Sequence, residues 1–213
     1  MKISSKAILA LVALTLATTL SASAFTLGPV RQEISAGGLS FLPKDDNSLY
    51  NNGYGAELQY RFWLTDDWAL ALALGAARLN VAHDEIEIAP GTDGTVDILP
   101  VGADIVFNLL DIQPVRLNAH AGARYIFTRS DASCLTVPPP DVAPKRVDMT
   151  IDNGAVWRVG LDANCAITKS LALFGSASYQ SDFAKQGIST ADGPLRDNTF
   201  RAFILEAGLL FHF

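Results

Sequence analysis

The sequence predicts an all-β fold: an eight-stranded, antiparallel, up-and-down transmembrane β-barrel. Three observations carry this. Eight segments alternate apolar and polar residues with period two, as a strand does when its faces meet different surroundings. Tight turns and long loops alternate between those segments, the plan of a barrel that crosses a membrane. The chain closes on LLFHF, Leu209 to Phe213, an alternating apolar end where a soluble domain ordinarily frays into a polar tail.

The first element is a leader. Lys2 and Lys6 precede a largely apolar stretch from Ile8 to Leu20, and Ser21-Ala22-Ser23-Ala24 ends it with small residues. That is the form of a secretory signal peptide (residues 1–24) cut after Ala24. Its apolar core is shorter than the about 20 residues of a spanning helix. The mature chain, 25–213, is expected to be one barrel domain. Losing two lysines takes the formal charge from −6 to −8, which argues against a nucleic-acid partner.

Strands are expected over roughly 30–41, 52–64, 68–81, 95–109, 113–128, 149–167, 170–181 and 197–213. In YGAELQYRFWL, Tyr54, Ala56, Leu58, Tyr60, Phe62 and Leu64 oppose Gly55, Glu57, Gln59 and Arg61. In VRLNAHAGARYIFT, the apolar side opposes Arg116, Asn118, His120, Gly122 and Arg124. ILPVGADIVFNLL sets Asp104 against its apolar row, IDNGAVWRVGLDANCAI sets Arg158 and Asp162, and the last strand sets Glu206 and His212. VRQEISAGGLSF and WALALALGAARLNV each read as slipping phase once, which a bulge would explain. Thr65-Asp66-Asp67, Leu110-Asp111-Ile112 and Thr168-Lys169 make the tight turns, while 42–51, 82–94, 129–148 and 182–196 make long loops rich in Asp, Gly, Pro and Ser.

A soluble sandwich or lipocalin-like barrel puts its apolar face inside. Here the ionic face is punctuated by glycine and alanine, which suits a narrow interior, and the other face is Leu, Val, Ala, Phe, Tyr and Trp, which suits lipid. Backbone groups in lipid must all be paired, so the sheet must close and the last strand must pair with the first. Localisation in the cell outer membrane follows, with both termini periplasmic and the long loops extracellular. Outer-membrane lipid and lipopolysaccharide are the expected surroundings, and a monomer the expected state.

The closing strand resembles the C-terminal signature of outer-membrane proteins. That resemblance implies that Phe211 and Phe213 are read by the barrel-assembly machinery of a Gram-negative bacterium. The chain as a whole is similar to the small eight-stranded outer-membrane barrels and faintly resembles the outer-membrane protein W family. GGLSFLPKDD, ELQYRFWLTDDWALAL, ILPVGADIVFNL and PVRLNAHAGARYIF carry the likeness, although Val101 follows Pro100 where that family has a second proline. The resemblance implies a narrow, porin-like channel for small or hydrophobic solutes.

The interior candidates are Glu57, Arg61, Asp104, Arg116, His120, Arg124, Arg158, Asp162 and Glu206. They can line a pore, or pair with one another and close it. An eight-stranded barrel is just wide enough for side chains to fill, and buried charges need partners, so a non-conducting, salt-bridged structural or adhesive protein is the alternative to the channel. An enzyme is not expected. The histidines are His83, His120 and His212, and none stands in the H-x-S arrangement that barrels resembling lipid A deacylases or palmitoyltransferases use. Asp84, Glu85, Glu87 and Asp93 make one loop acidic, but without the spacing of a calcium loop, so no metal or other cofactor is expected. Cys134 sits in a long loop and Cys165 near the opposite end of the next strand. About 16 residues at about 3.3 Å each separate that strand's ends, too far for a disulfide, so two free thiols are expected, Cys165 facing lipid.

Overall fold

The computed structural model describes residues 31–44, 50–81, 93–135, 145–191 and 193–213. Its strands are β1 (Gln32–Pro43), β2 (Tyr50–Trp63), β3 (Trp68–Val81), β4 (Thr95–Ile112), β5 (Val115–Ser130), β6 (Ser133–Leu135), β7 (Arg146–Ile151), β8 (Gly154–Ala166), β9 (Leu171–Asp182), β10 (Gln186–Thr190), β11 (Gly193–Asn198) and β12 (Ala202–His212). Eight of them close into an antiparallel barrel in the order β1-β12-β9-β8-β5-β4-β3-β2, and the other four form a separate sheet, β11-β10-β7-β6. The leader lies outside the described residues, as do His83, Asp84, Glu85 and Glu87.

Closure ties down the chain end. β12 pairs with β1 from Glu33↔His212 to Pro43↔Ala202, and the Phe213 amide donates to the Gln32 carbonyl at 3.0 Å. The apolar terminus is therefore a paired strand of the barrel wall.

Three expectations need correction. The turn expected at Leu110-Asp111-Ile112 lies at Gln113-Pro114, because β4 runs on to Ile112, which pairs with Val115. The span 149–167 is not one strand: the chain breaks at Asp152-Asn153, and β7 on the far side joins the separate sheet. The last barrel strand starts at Ala202 rather than 197, because the chain before it forms β11. Loops 129–148 and 182–196 thus carry strands. Their polar, Pro- and Gly-rich composition reflects exposure and turns, and hides the short apolar runs between.

The predicted phase slips are absent. Along β3 the alternation never breaks: Ala69, Ala71, Ala73, Gly75, Ala77, Leu79 and Val81 face in, while Trp68, Leu70, Leu72, Arg78 and Asn80 face out. In β1, Glu33 and Ser35 face in, and so do Leu39 and Phe41 farther along. What changes along each strand is the chemistry of the two sides. Near the short turns the outside is apolar and the inside polar; toward the long loops this inverts. A pleat that keeps its phase does this when the medium outside changes from apolar to aqueous.

The outer surface near the short turns is a belt of exposed Leu70, Leu72, Ile105, Leu161, Leu173, Leu205 and Leu209. Such a continuous patch is untenable in water. Aromatic rings border it: Trp68 and Phe107 at 4.8 Å on one edge, and Tyr125–Phe127, Trp157–Tyr179 and Tyr179–Phe203 at 4.9, 5.5 and 5.3 Å on the other. From Phe203 to Phe211 the belt is about 20 Å tall, at about 3.3 Å per residue and a tilt of about 40°.

Inside, the long-loop half is a continuous apolar core. Leu39, Phe41, Leu79, Val96, Ile126, Val156 and Ile204 of the barrel pack with Cys134, Met149, Ile151 and Ile188 of the separate sheet. Leu79 and Val96 are wholly buried, each stabilising by about 1.5–3 kcal/mol. Both cysteines are free thiols, Cys134 buried there and Cys165 exposed on the outer face of β8.

Candidate functional site

The short-turn half of the interior is ionic. Glu57, Arg61, Asp104, His120, Arg124, Arg158, Asp162 and Glu206 are all buried and inward, as their alternation requires. Arg116 stands apart, half-buried at the short-turn mouth.

Register makes room for these long side chains. Arg124 lies opposite Gly102, Asp104 opposite Gly122, and Glu57 between Gly37 and Gly75. A Cβ at Gly122 would collide with Asp104 Oδ1, and one at Gly102 would come within 2.6 Å of Arg124 Cδ. The glycines thus clear the space in which the ion pair forms.

The charges form one network. Arg124 donates from Nη1 and Nη2 to the two oxygens of Asp104 at 2.7 and 2.5 Å, the parallel fork that favours arginine with carboxylate. Arg124 also lies 3.7 Å from Glu57. Arg158 donates to both Glu57 oxygens at 3.1 and 3.0 Å, to Glu206 at 3.4 Å and to Ser178 Oγ at 2.8 Å. Arg61 donates to Asp162 at 3.0 Å and to Gln59 Oε1 at 2.9 Å, and Gln59 in turn donates to Asp104 at 3.3 Å. Asn118 Nδ2 donates to Asp162 at 2.8 Å.

Glu33 is a further member, which the alternation pattern alone does not single out. It is 1% exposed and contacts Arg31, Arg61 at 4.0 Å, Arg116 at 3.4 Å and His212 Nδ1 at 3.2 Å. Its signal is present in the sequence: Glu33, Ser35, Gly37 and Leu39 share one phase, which the supposed slip in β1 obscures. Among the described residues, five buried carboxylates (Glu33, Glu57, Asp104, Asp162, Glu206) face three buried guanidiniums (Arg61, Arg124, Arg158). Arg31 and Arg116 at the mouth, both on Glu33, make up the difference. Deleting one partner of such a group leaves an uncompensated charge, at about 3–5 kcal/mol.

His120 does not join the network by hydrogen bonds: neither ring nitrogen has a protein partner among the described residues. Register sets Gly160 between His120 and Ser178, so a serine does share its row. That hydroxyl accepts from Arg158 Nε at 2.8 Å. His212 sits at the short-turn mouth with Glu33. Phe211 and Phe213 are exposed on the outer face at that same end.

No family model matches the chain, and no curated protein does. Solved structures do. The outer membrane protein OprG from Pseudomonas aeruginosa superposes with a TM-score of 0.63 at 11% identity, covering 86% of this chain and 96% of that one. A major outer membrane protein from Thermus thermophilus gives 0.53 at 15% identity, with 86% and 99% covered. The outer membrane protein AlkL in lipid bilayers gives 0.51 at 14%, with 86% and 90% covered. The fold of this chain is therefore that of the small eight-stranded outer-membrane β-barrels.

Proposed function

We propose that this chain is a non-conducting barrel of the outer membrane, whose long-loop end is a rigid surface platform for contact with other macromolecules. The observation that carries this is the double closure of the interior. An ionic layer, in which each buried guanidinium and carboxylate has an opposite charge beside it, fills the short-turn half, and a mainly apolar core fills the long-loop half. A hydrated ion crossing the tube would have to break buried pairs and then enter a layer that is mainly apolar, with Gln180 and Gln186 among its few buried polar side chains. In this reading the leader is removed after Ala24, the termini face the periplasm, and the long-loop sheet faces outward. Phe211 and Phe213 serve assembly, and lipopolysaccharide borders the belt. Membership of the outer-membrane protein W family is part of the reading only through the sequence stretches quoted above. The narrow channel suggested by that likeness would need a polar path through the upper core.

Planar-bilayer recording of the purified, folded protein tests the closure. The expected trace is flat over the range in which small barrels show unitary steps; reproducible steps would return the channel reading. The platform is tested by replacing 186–198, which spans β10 and β11, with a short Gly-Ser turn on whole cells. Attachment to other cells or to matrix proteins should fall while the barrel stays folded.

A further inference from the structure

Just beyond the aromatic border at the long-loop end, the outer face of the barrel treats its cations in two ways. On one side they are matched. Arg78 of β3 forks onto Asp97 of β4, Nε and Nη2 donating at 2.7 and 2.9 Å. Arg129 of β5 stands opposite the same Asp97 and pulls on its carboxylate. A carboxylate thus sits on the strand between two guanidiniums.

On the other side the described strands offer no such partner. The β1–β12 ladder runs one step past Pro43↔Ala202, the Lys44 amide donating to the Arg201 carbonyl at 3.2 Å. Ala202 faces in and Phe203 out, so Lys44 and Arg201 lie side by side on the outer face, both exposed. Arg201 stands two residues past Phe203, as Arg129 does past Phe127, so the two sides are compared at one level. The outward rows of β1, β9 and β12 hold no side-chain carboxylate. Asp182 is in the inward row, accepts from the Phe200 amide, and draws on Arg201 from behind. Asp45 and Asp46 follow Lys44 and lie outside the described residues. Like charges directly opposite on one face are destabilising, and an anion between them reverses the sign.

A second observation fixes the height of this pair. The Lys44 ammonium lies 5.5 Å from the ring centroid of Tyr179 and 5.8 Å from that of Phe203. Those rings, with Trp157, form the upper border of the lipid-facing belt. The ammonium therefore stands where acyl chains end and headgroups begin.

We propose that Lys44 and Arg201 form a binding site for a phosphomonoester on a lipid headgroup of the outer leaflet. The Arg201 guanidinium has more donors than one carboxylate takes, Lys44 adds a point charge, and Tyr179 and Phe203 give the first carbons of the lipid an apolar floor. Two adjacent cations favour the nearly doubly charged monoester over the singly charged diester of ordinary phospholipids. The choice of leaflet rests on the reading that the long loops face outward; the cation pair does not.

The probe is bisphosphorylated lipid A, titrated into the folded mature protein in micelles and followed by native mass spectrometry. The first lipid should bind at least about tenfold tighter than fully dephosphorylated lipid A or phosphatidylglycerol. Lys44→Gln/Arg201→Gln should weaken it by about tenfold, while Lys44→Arg retains it and Arg129→Gln, on the matched side, stays within about twofold. The heat-induced shift on gels checks that each variant is folded. Equal binding of the dephosphorylated lipid, unchanged affinity in the double variant, or an equal loss in Arg129→Gln would overturn the site. Binding abolished by EDTA would also overturn it, since a bridging metal on carboxylates such as Asp45 and Asp46 would then be the anchor. Tighter binding of phosphatidylglycerol would overturn the monoester assignment. The leaflet is read separately, by protease access to 129–148 on whole cells: protection there, with lipid binding intact, would overturn the outward reading and leave the site standing.

Discussion

The two halves of the tube solve the same packing problem with opposite chemistry. In the short-turn half, lipid-facing side chains must be apolar, and the interior takes the charges, each matched by another charge and most by a glycine or other small residue across the strand. In the long-loop half the outer face carries Arg78, Asp97 and Asn80, and the interior is an ordinary apolar core shared with the surface sheet. The comparison teaches that along β1 and β3 the pleat, not the polarity, is the invariant. The halves should also fail differently, since charges are held by specific partners and an apolar core by shape and area.

The largest effect is expected in the ionic half. Arg158→Met strands Glu206 beside Glu57, which keeps only the longer contact with Arg124, and should cost about 3–5 kcal/mol in urea unfolding from micelles. Adding Glu57→Gln and Glu206→Gln should restore most of the loss. If the triple variant is no better than the single one, pairing is not what holds that half. In the apolar half, Leu79→Ala should cost about 2–4 kcal/mol. Its signature should be faster proteolysis of the surface sheet, with the heat-induced shift of the barrel on gels retained.

A smaller effect concerns Asp182, at the long-loop end of β9 beyond the aromatic edge. Burial pushes its carboxyl up to about 6, against hydrogen bonding from the Phe200 amide and the pull of Arg201. The folded form then holds a proton that the unfolded chain releases near pH 4. Its contribution to stability is full below that pH and is lost as pH rises toward about 6, a loss that partial solvent screening holds to about 1 kcal/mol. Asp182→Asn should flatten that slope, and an unchanged pH profile of the unfolding midpoint would disprove the assignment. Least is expected from Arg78→Ala, which opens the exposed pair with Asp97 at 2.7 Å. Surface pairs of this kind stabilise little, and the midpoint should not move measurably at physiological salt.

Most of the barrel is legible from alternation alone. β2, β4, β5, β8, β9 and β12 show inward rows that match the polar side of the sequence, and the interior charges expected from it fall on those rows. The failures cluster where the surroundings invert. Leu79 and Val81 on β3, and Leu39 and Phe41 on β1, are inward apolar residues in strands whose earlier inward residues are small or polar. An apolar/polar pattern read without knowing where the outer medium changes must then register a slip. Glu33 escapes notice for that reason. The surface sheet is hidden for another: β6, β7 and β10 have three to six residues each and are stabilised by packing on the apolar core, which no local pattern announces. Which charge meets which, across strands far apart in the chain, depends on the tilt of the closed tube and is not readable at all.

The glycine-facing-charge arrangement has a practical corollary for anyone wishing to bore a conduit through this protein. Cross-sectional volume is fixed around each circumference, so exchanging a bulky residue with the glycine across from it would leave the bore shut. Opening one means subtracting bulk from a whole layer without refilling it, and the place to begin is the apolar cluster that holds Leu79, Ile126 and Ile204, where excision leaves no orphaned charge behind.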